Sequence, residues 1–158
     1  MLDEGFFLTL AGLAMSFAGF AGLMNALRRR GETWEPMELY QLRIIVAYAI
    51  TTLFGSLLVV PFVEMLGQHD GVQWLGALML IASFALGVAN MRSDIRGGHA
   101  TVLRTRVRAT FTTITVVGLI ALVGTVITGA PALYRLALIL MLAMPAGTFV
   151  YVVARINR

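Results

Sequence analysis

Two ionisable side chains fall inside long apolar runs, where a charge is costly. Glu64 lies about one turn before the end of the second run, and Arg135 lies about one turn into the fifth. A carboxylate at that depth binds an ion or carries a proton if water reaches it. The alternative is structural, because an ion pair of Glu64 with Arg135 would join two helices. The sequence leaves both interpretations open.

Asn25 and Asn90 are further candidates for an ion or proton site, since each lies near the end of an apolar run. Several threonines lie at the same depth, namely Thr110, Thr112, Thr113 and Thr115. Together these side chains would line a water-filled vestibule. In the alternative interpretation, each threonine bonds a carbonyl of the preceding helical turn, and each asparagine joins two helices.

Several reactive residue types are missing from the chain. It has no cysteine and no lysine, and its histidines, His69 and His99, fall between apolar runs. This excludes thiolate and Schiff-base chemistry and disfavours a histidine metal centre inside a membrane. Intramembrane aspartate pairs, serine–histidine pairs and phosphate-binding motifs are also absent. We therefore expect no enzymatic activity, no metal and no cofactor.

The composition places these residues in a bilayer. Of 158 residues, 59% are hydrophobic and 13% are charged, against roughly 45–50% and 25% in soluble domains. The mean hydropathy is +0.86. A soluble fold of this size could not bury so much apolar surface, so a soluble domain, a disordered chain and a nucleic-acid-binding module are excluded.

Five runs are long enough to cross about 30 Å of hydrocarbon at about 1.5 Å per residue. They cover residues 6–27, 43–66, 72–91, 109–128 and 132–154. None has the sustained alternation of a barrel strand. The sequence predicts an all-α, polytopic integral membrane protein: one domain over residues 1–158, a bundle of five transmembrane helices.

Cap residues predict two of the helix boundaries. The segment from Asp70 to Gln73 has the form of a capping box, which predicts that the third span begins there. Gly129 and Pro131 predict a tight antiparallel hairpin of the last two spans, because glycine ends helices and proline starts them.

Prolines predict three further features. Pro36 predicts a helix start ahead of the second span. Pro61 and Pro145 lie inside apolar runs, where proline removes a hydrogen bond and bends the helix.

The arginines are distributed unequally between the two sides of the predicted bundle. Eleven of the twelve lie on one side, and only Arg135 lies on the other. The positive-inside rule then predicts an external N-terminus and a cytoplasmic C-terminus, in the inner membrane of a bacterial cell. These arginines either set topology alone or also bind anionic lipid headgroups, at about 1 kcal/mol each. The headgroup candidates are Arg28, Arg29, Arg30, Arg104, Arg106 and Arg108.

The first apolar run has one bulky side and one side of small residues. An alanine row lies next to a row made of Gly12, Ser16, Gly19 and Gly22. In lipid, small residues let two helix backbones approach closely. We expect this side to meet another helix, either within the chain or in another subunit.

These observations favour a homo-oligomeric ion channel or small-solute transporter, because they combine an intramembrane carboxylate with a glycine-rich face. The alternative is a non-transporting assembly or accessory subunit that binds partner membrane proteins or lipids. An intramembrane enzyme is disfavoured by the missing catalytic groups. A protomer of 158 residues has little interior of its own, so we expect a homo-oligomer.

Overall fold

The computed structural model describes residues 3–27, 36–97 and 105–156. All regular structure in these residues is helical: α1 (Glu4–Leu27), α2 (Pro36–Leu57), α3 (Val59–Leu66), α4 (Gln68–Gly97), α5 (Thr105–Thr128) and α6 (Pro131–Ile156). Five segments of this described part are long and apolar enough to cross a membrane, with α2 and α3 forming one of them together. The predicted all-α fold with five such helical segments is confirmed, and it indicates a multi-pass membrane protein.

Four helices form a bundle, and α1 packs on its outside. Helix α2 packs against α4 and α6, and α5 packs against the same two helices. Helix α1 packs mainly on α2 and touches α6. The core is centred on the fully buried side chains Leu75, Leu122, Tyr134 and Leu138. Because α1 has neighbours on one side only, its other side is left uncovered.

The second span is interrupted close to Pro61. Proline has no N–H, so the carbonyl of Leu57, four residues earlier, loses its helical hydrogen bond. Helix α2 ends at Leu57 and α3 begins at Val59, with Leu58 between them at φ −76° and ψ −10°. The sequence predicted a bend at Pro61, and the structure has the break between α2 and α3 at Leu58, three residues before it. By contrast, α6 continues as a helix through Pro145.

The hairpin between α5 and α6 is formed as predicted. Gly129 has φ +62°, and its N–H donates to the carbonyl of Thr125 at 2.8 Å. Pro131 is the first residue of α6. A left-handed glycine followed by a proline at the first helical position joins the two helices within two residues. Helix α2 likewise begins at Pro36, as the sequence predicted.

The predicted capping box is wrong. Helix α4 begins at Gln68, directly after Gly67 at φ +83°. Gln73 therefore lies inside the helix, where its side-chain amide donates to the carbonyl of Val126 on α5 at 3.0 Å. The Gln73 side chain bonds to α5 because the carbonyl of Val126 lies in the last turn of that helix, where carbonyls have no partner within the helix. The start of α4 does not need Gln73, since Gly67 ends α3 and α4 begins at the next residue.

The two ends of the bundle differ in charge. One end of the bundle contains the first residues of α1, α4 and α6 and the last residues of α3 and α5. We call this the acidic end, since its described carboxylates are Asp3, Glu4, Glu64 and Asp70. The opposite end, where the exposed side chains of Arg43 and Arg92 lie, is called the arginine end. Of the lysine and arginine residues that the structure describes, Arg135 alone lies at the acidic end.

Candidate functional site

Arg135 is held by two aromatic rings of α1. Its guanidinium carbon lies 5.5 Å from the ring centre of Phe6 and 5.8 Å from that of Phe7. The rings meet edge to face at 5.3 Å, and Phe7 is fully buried. Asp3 fixes this end of α1, because its carboxylate accepts a hydrogen bond from the Phe6 N–H at 3.2 Å. Such cation–π contacts contribute about 0.5–2 kcal/mol and orient the guanidinium.

The guanidinium of Arg135 keeps unused hydrogen-bonding capacity. Its Nε is buried and makes no hydrogen bond. Arginine carries five N–H donors and is always charged, and an aromatic face does not replace a carboxylate or phosphate acceptor. The arrangement therefore suits an anionic partner at the edge of α1.

Glu64 does not provide that partner within the chain. The structure describes both residues, and it forms no ion pair between Glu64 and Arg135. Glu64 lies on α3 with an exposed side chain, next to exposed Met65 and Leu66. The intrachain ion pair, one of the two interpretations of Glu64, is not formed in the structure, because Arg135 turns towards α1 and Glu64 towards the surroundings of the bundle.

The two small rows of α1 have different environments. The alanine row packs on the bundle, with Ala11, Ala14 and Ala21 buried. A Cβ atom built on Gly12, Gly19 or Gly22 would meet nothing within 4 Å. The second row is exposed throughout, and we call it the glycine face: Gly12, Ser16, Gly19 and Gly22.

Ser16 does not use its hydroxyl for a partner across this face. It donates to the carbonyl of Gly12 in its own helix at 2.9 Å. The glycine face therefore presents backbone and small satisfied groups, flanked by the exposed side chains of Leu13 and Met15. The small residues of α1 were expected to meet another helix, either within the chain or in another subunit. The alanine row meets a helix of the chain, whereas the glycine face meets no helix among the described residues.

The interior of the bundle holds a cavity of about 20 Å³, which is room for about one water molecule. Its lining includes Tyr48, Ser83, Thr115, Met141 and Met144. Ser83 donates to the carbonyl of Met79 at 2.7 Å, and Thr115 donates to that of Phe111 at 2.9 Å. Apolar packing and back-bonded hydroxyls leave this cavity too small for a solute pathway.

The structure describes the side chain of one of the two predicted asparagines. Asn90 is half-buried and hydrogen-bonds to the hydroxyl of Tyr48, which joins α4 to α2. Asn25 lies outside the side chains that the structure describes. The contacts of Asn90 and Thr115 match the structural interpretation, in which an asparagine joins two helices and a threonine bonds a carbonyl of its own helix.

Two polar residues on α2 were not recognised from the sequence. Thr52 and Ser56 are fully buried, and neither hydroxyl has a hydrogen-bond partner. Between them the carbonyl of Gly55 accepts a hydrogen bond from the hydroxyl of Tyr134 at 2.7 Å. Their spacing of four residues inside an apolar run places both on one helix face, and this is the signal that could have identified them.

The predicted lipid-contact arginines cannot be placed. Arg28, Arg29, Arg30 and Arg104 lie outside the described residues, and so do the side chains of Arg106 and Arg108. At that end the side chains of Arg43 and Arg92 are described, and both are exposed. Within the described part of the chain, no three histidine or acidic residues are grouped so as to hold a metal ion.

The distinctive surface features are therefore an open glycine face on α1, an exposed carboxylate on α3 and an arginine beside the end of α1. They can serve lateral association in a membrane, where small faces and charge pairs hold helices together. Comparison with protein-family models, curated proteins and solved structures gives no match to this chain.

Proposed function

We propose that this protein is a non-catalytic, self-associating assembly subunit of a membrane. In this role α1 binds a transmembrane helix of another polypeptide through its glycine face. The observation that carries the proposal is the open space over Gly12, Gly19 and Gly22, on a helix whose opposite side is packed. Glycines let another backbone approach closely, and van der Waals packing then drives association in lipid.

The small size of the cavity among the described helices favours assembly over transport through one protomer. The cavity of about 20 Å³ holds about one water molecule. A pathway for ions or solutes would need a continuous polar lumen. Transport would thus require a pathway between protomers, and association comes first in either case.

The orientation belongs to the same proposal. We place the arginine end in the cytoplasm and the acidic end outside the inner membrane of a bacterial cell, since eleven of twelve arginines lie on one side. Those arginines contact anionic headgroups of the cytoplasmic leaflet. Cysteine labelling tests this in a chain that has no native cysteine. An impermeant reagent should label Gln68→Cys but not Ala100→Cys in intact cells, and the reverse pattern would contradict the orientation.

The test of the assembly proposal is the mass of the protein in lipid nanodiscs. Wild type should have a mass that is a multiple of the 17.1 kDa protomer. Gly19→Leu should shift it to the protomer, because leucine fills the face where the partner backbone lies. Gly87→Leu is the matched control, since a Cβ at Gly87 also meets nothing within 4 Å but lies on α4. A wild-type protein that is monomeric at every lipid ratio would overturn the proposal.

A second candidate function is favoured by Glu64. An exposed carboxylate inside an apolar span is the residue type that ion and proton pathways use. In that function, protomers assemble into a homo-oligomeric channel or small-solute transporter, and Glu64 lines the path between them. Liposomes containing the assembled protein would then conduct ions, and Glu64→Gln would abolish the flux without changing the mass. Liposomes that remain silent while the protein is assembled would favour the assembly function alone.

A further inference from the structure

A row of exposed side chains runs along the second span on the side away from the core. Its members recur at steps of three, four or seven residues, so they lie on one side of the helix. Phe54 is 56% exposed and Leu57 is 46% exposed, which makes the row a ridge of large apolar groups. We call it the α2–α3 ridge: Arg43, Ile50, Phe54, Leu57, Pro61 and Glu64.

The ridge and the glycine face have complementary shapes. The ridge projects large side chains, whereas the glycine face has no side chain larger than that of Ser16. Ridges of one helix pack into grooves of another, and small residues deepen such a groove. The glycine face extends over about three turns of α1, and the part of the ridge from Ile50 to Pro61 extends over about three turns of the second span.

The two surfaces also match in depth. Ser16 lies twelve residues after Glu4, where α1 begins, and Phe54 lies twelve residues before Leu66, where α3 ends. At about 1.5 Å per residue, each is about 18 Å from the acidic end. Two copies in the same orientation would therefore place Ser16 of one beside Phe54 of the other, with the helices antiparallel.

The charges at the acidic end complete this match. Glu64 ends the α2–α3 ridge, and Arg135 lies over Phe6 of α1. Phe6 is one heptad before exposed Leu13, so it lies at the edge of the open side of α1. The carboxylate and the guanidinium form no ion pair with each other inside one chain. Opposite charges in apolar surroundings stabilise a contact between copies and fix its register.

We infer that the partner of the glycine face is the α2–α3 ridge of a second copy, with Glu64 of one copy paired to Arg135 of the other. The inference rests on the proposed function and specifies its interface. Asp70 is the competing carboxylate at this end. It lies in the first turn of α4, where the amides of a helix start already stabilise a negative charge, and it is outside the ridge.

Disulfide formation between differently tagged copies tests the packing. A Ser16→Cys copy and a Phe54→Cys copy should cross-link when they are coexpressed, whereas a Ser16→Cys copy combined with an Ile120→Cys copy should not. Ile120 is an exposed position on α5 and serves as the control. Cross-linking of Ser16→Cys copies to each other in the absence of a second cysteine position would overturn the inference, because α1 would then pack on α1.

A charge-exchange experiment tests the ion pair. A Glu64→Arg copy alone places two arginines in the contact, and an Arg135→Glu copy alone places two glutamates there. Like charges at a buried contact cost several kcal/mol, so each variant should lose at least about tenfold in association. Coexpression of the two variants should restore association, because each arginine then faces a glutamate of the other copy.

The control for this experiment is Asp70→Arg, which should associate like wild type on its own and should not restore association when it is coexpressed with Arg135→Glu. A lack of rescue on coexpression, with wild-type protein still assembled and Gly19→Leu still monomeric, would overturn the inference and leave the proposed function standing. Rescue by Asp70→Arg in place of Glu64→Arg would also overturn it. A monomeric wild type would instead overturn the proposed function and, with it, this interface.

Discussion

Glycine has opposite surroundings in α1 and in α4. A Cβ atom at Gly71 of α4 would lie 2.7 Å from the carbonyl oxygen of Phe62 and 2.9 Å from the Cα of Val63. Both are backbone atoms of α3, which cannot move aside independently. A Cβ at Gly12 or Gly19 of α1 would meet nothing within 4 Å. The same residue type thus makes a close intrachain approach possible in one helix and leaves an unfilled surface in the other.

The difference teaches what a small residue in a membrane helix indicates. A small residue permits two backbones to approach closely, but it does not identify whether the second backbone belongs to the same chain or to another. In α4 the neighbour is supplied by the chain itself, since α3 folds back at Gly67. In α1 no described helix of the chain fills the space, and a second copy is the neighbour proposed for it.

The largest expected effect is at the packed glycine. Gly71→Ala should lower the free energy of unfolding by about 2–3 kcal/mol, because α3 and α4 must separate to admit the methyl group. Denaturant titration in detergent at a dilution that keeps the protein monomeric measures this loss. A change below about 0.5 kcal/mol would mean that α3 does not approach α4 as closely as described.

Tyr134→Phe should have the next largest effect. The substitution removes a buried hydrogen bond of 2.7 Å to the carbonyl of Gly55. Hydrogen bonds between membrane helices contribute about 0.6–1.7 kcal/mol, and we expect a loss near the upper value because both groups are buried. The same titration measures it. Ser83→Ala is a control of similar size, since its hydroxyl bonds only within α4 and to Met141. An equal loss in the control would show that the bond to Gly55 is not distinctive.

Phe17→Leu should have a small effect on the monomer and none on assembly. Phe17 is half-buried, and its ring meets that of Phe149 at 6.2 Å in an edge-to-face arrangement. Losing such a pair costs about 0.5–1.5 kcal/mol, and leucine recovers part of the apolar contact. The nanodisc mass should remain that of wild type. A mass shift as large as that of Gly19→Leu would mean that the faces of α1 were assigned incorrectly.

The smallest effect on the monomer is expected at the glycine face. Gly12→Ala and Gly19→Ala should each change the free energy of unfolding of the monomer by less than about 0.5 kcal/mol, because the methyl group enters open space. Compared with Gly71→Ala, they give the sharpest test of the contrast between the two helices. A loss of about 2 kcal/mol or more would show that α1 packs on the bundle through this face.

Much of the fold follows from local sequence, but less of the site does. Apolar runs of transmembrane length predicted five helical segments, and Gly129 with Pro131 predicted the hairpin of α5 and α6, because these preferences act within a few residues. The start of α4 was misplaced because the Gln73 side chain had two possible partners: a backbone N–H at a helix start, which would donate to its amide oxygen, or a carbonyl of another helix, which would accept from its amide N–H. Only the packing of α4 against α5 selects the carbonyl of Val126.

The sequence by itself determined which segments are apolar helices and where prolines and glycines end or interrupt them, and it predicts that eleven of twelve arginines lie on one side. These properties depend on composition and on spacing along the chain. Tertiary structure decided that Arg135 faces Phe6 and Phe7 instead of Glu64, and that the alanines of α1 are covered while its glycines are not. Helical periodicity puts residues on a face, but only the packing of one helix against its neighbours decides which face is buried and which is left for a partner.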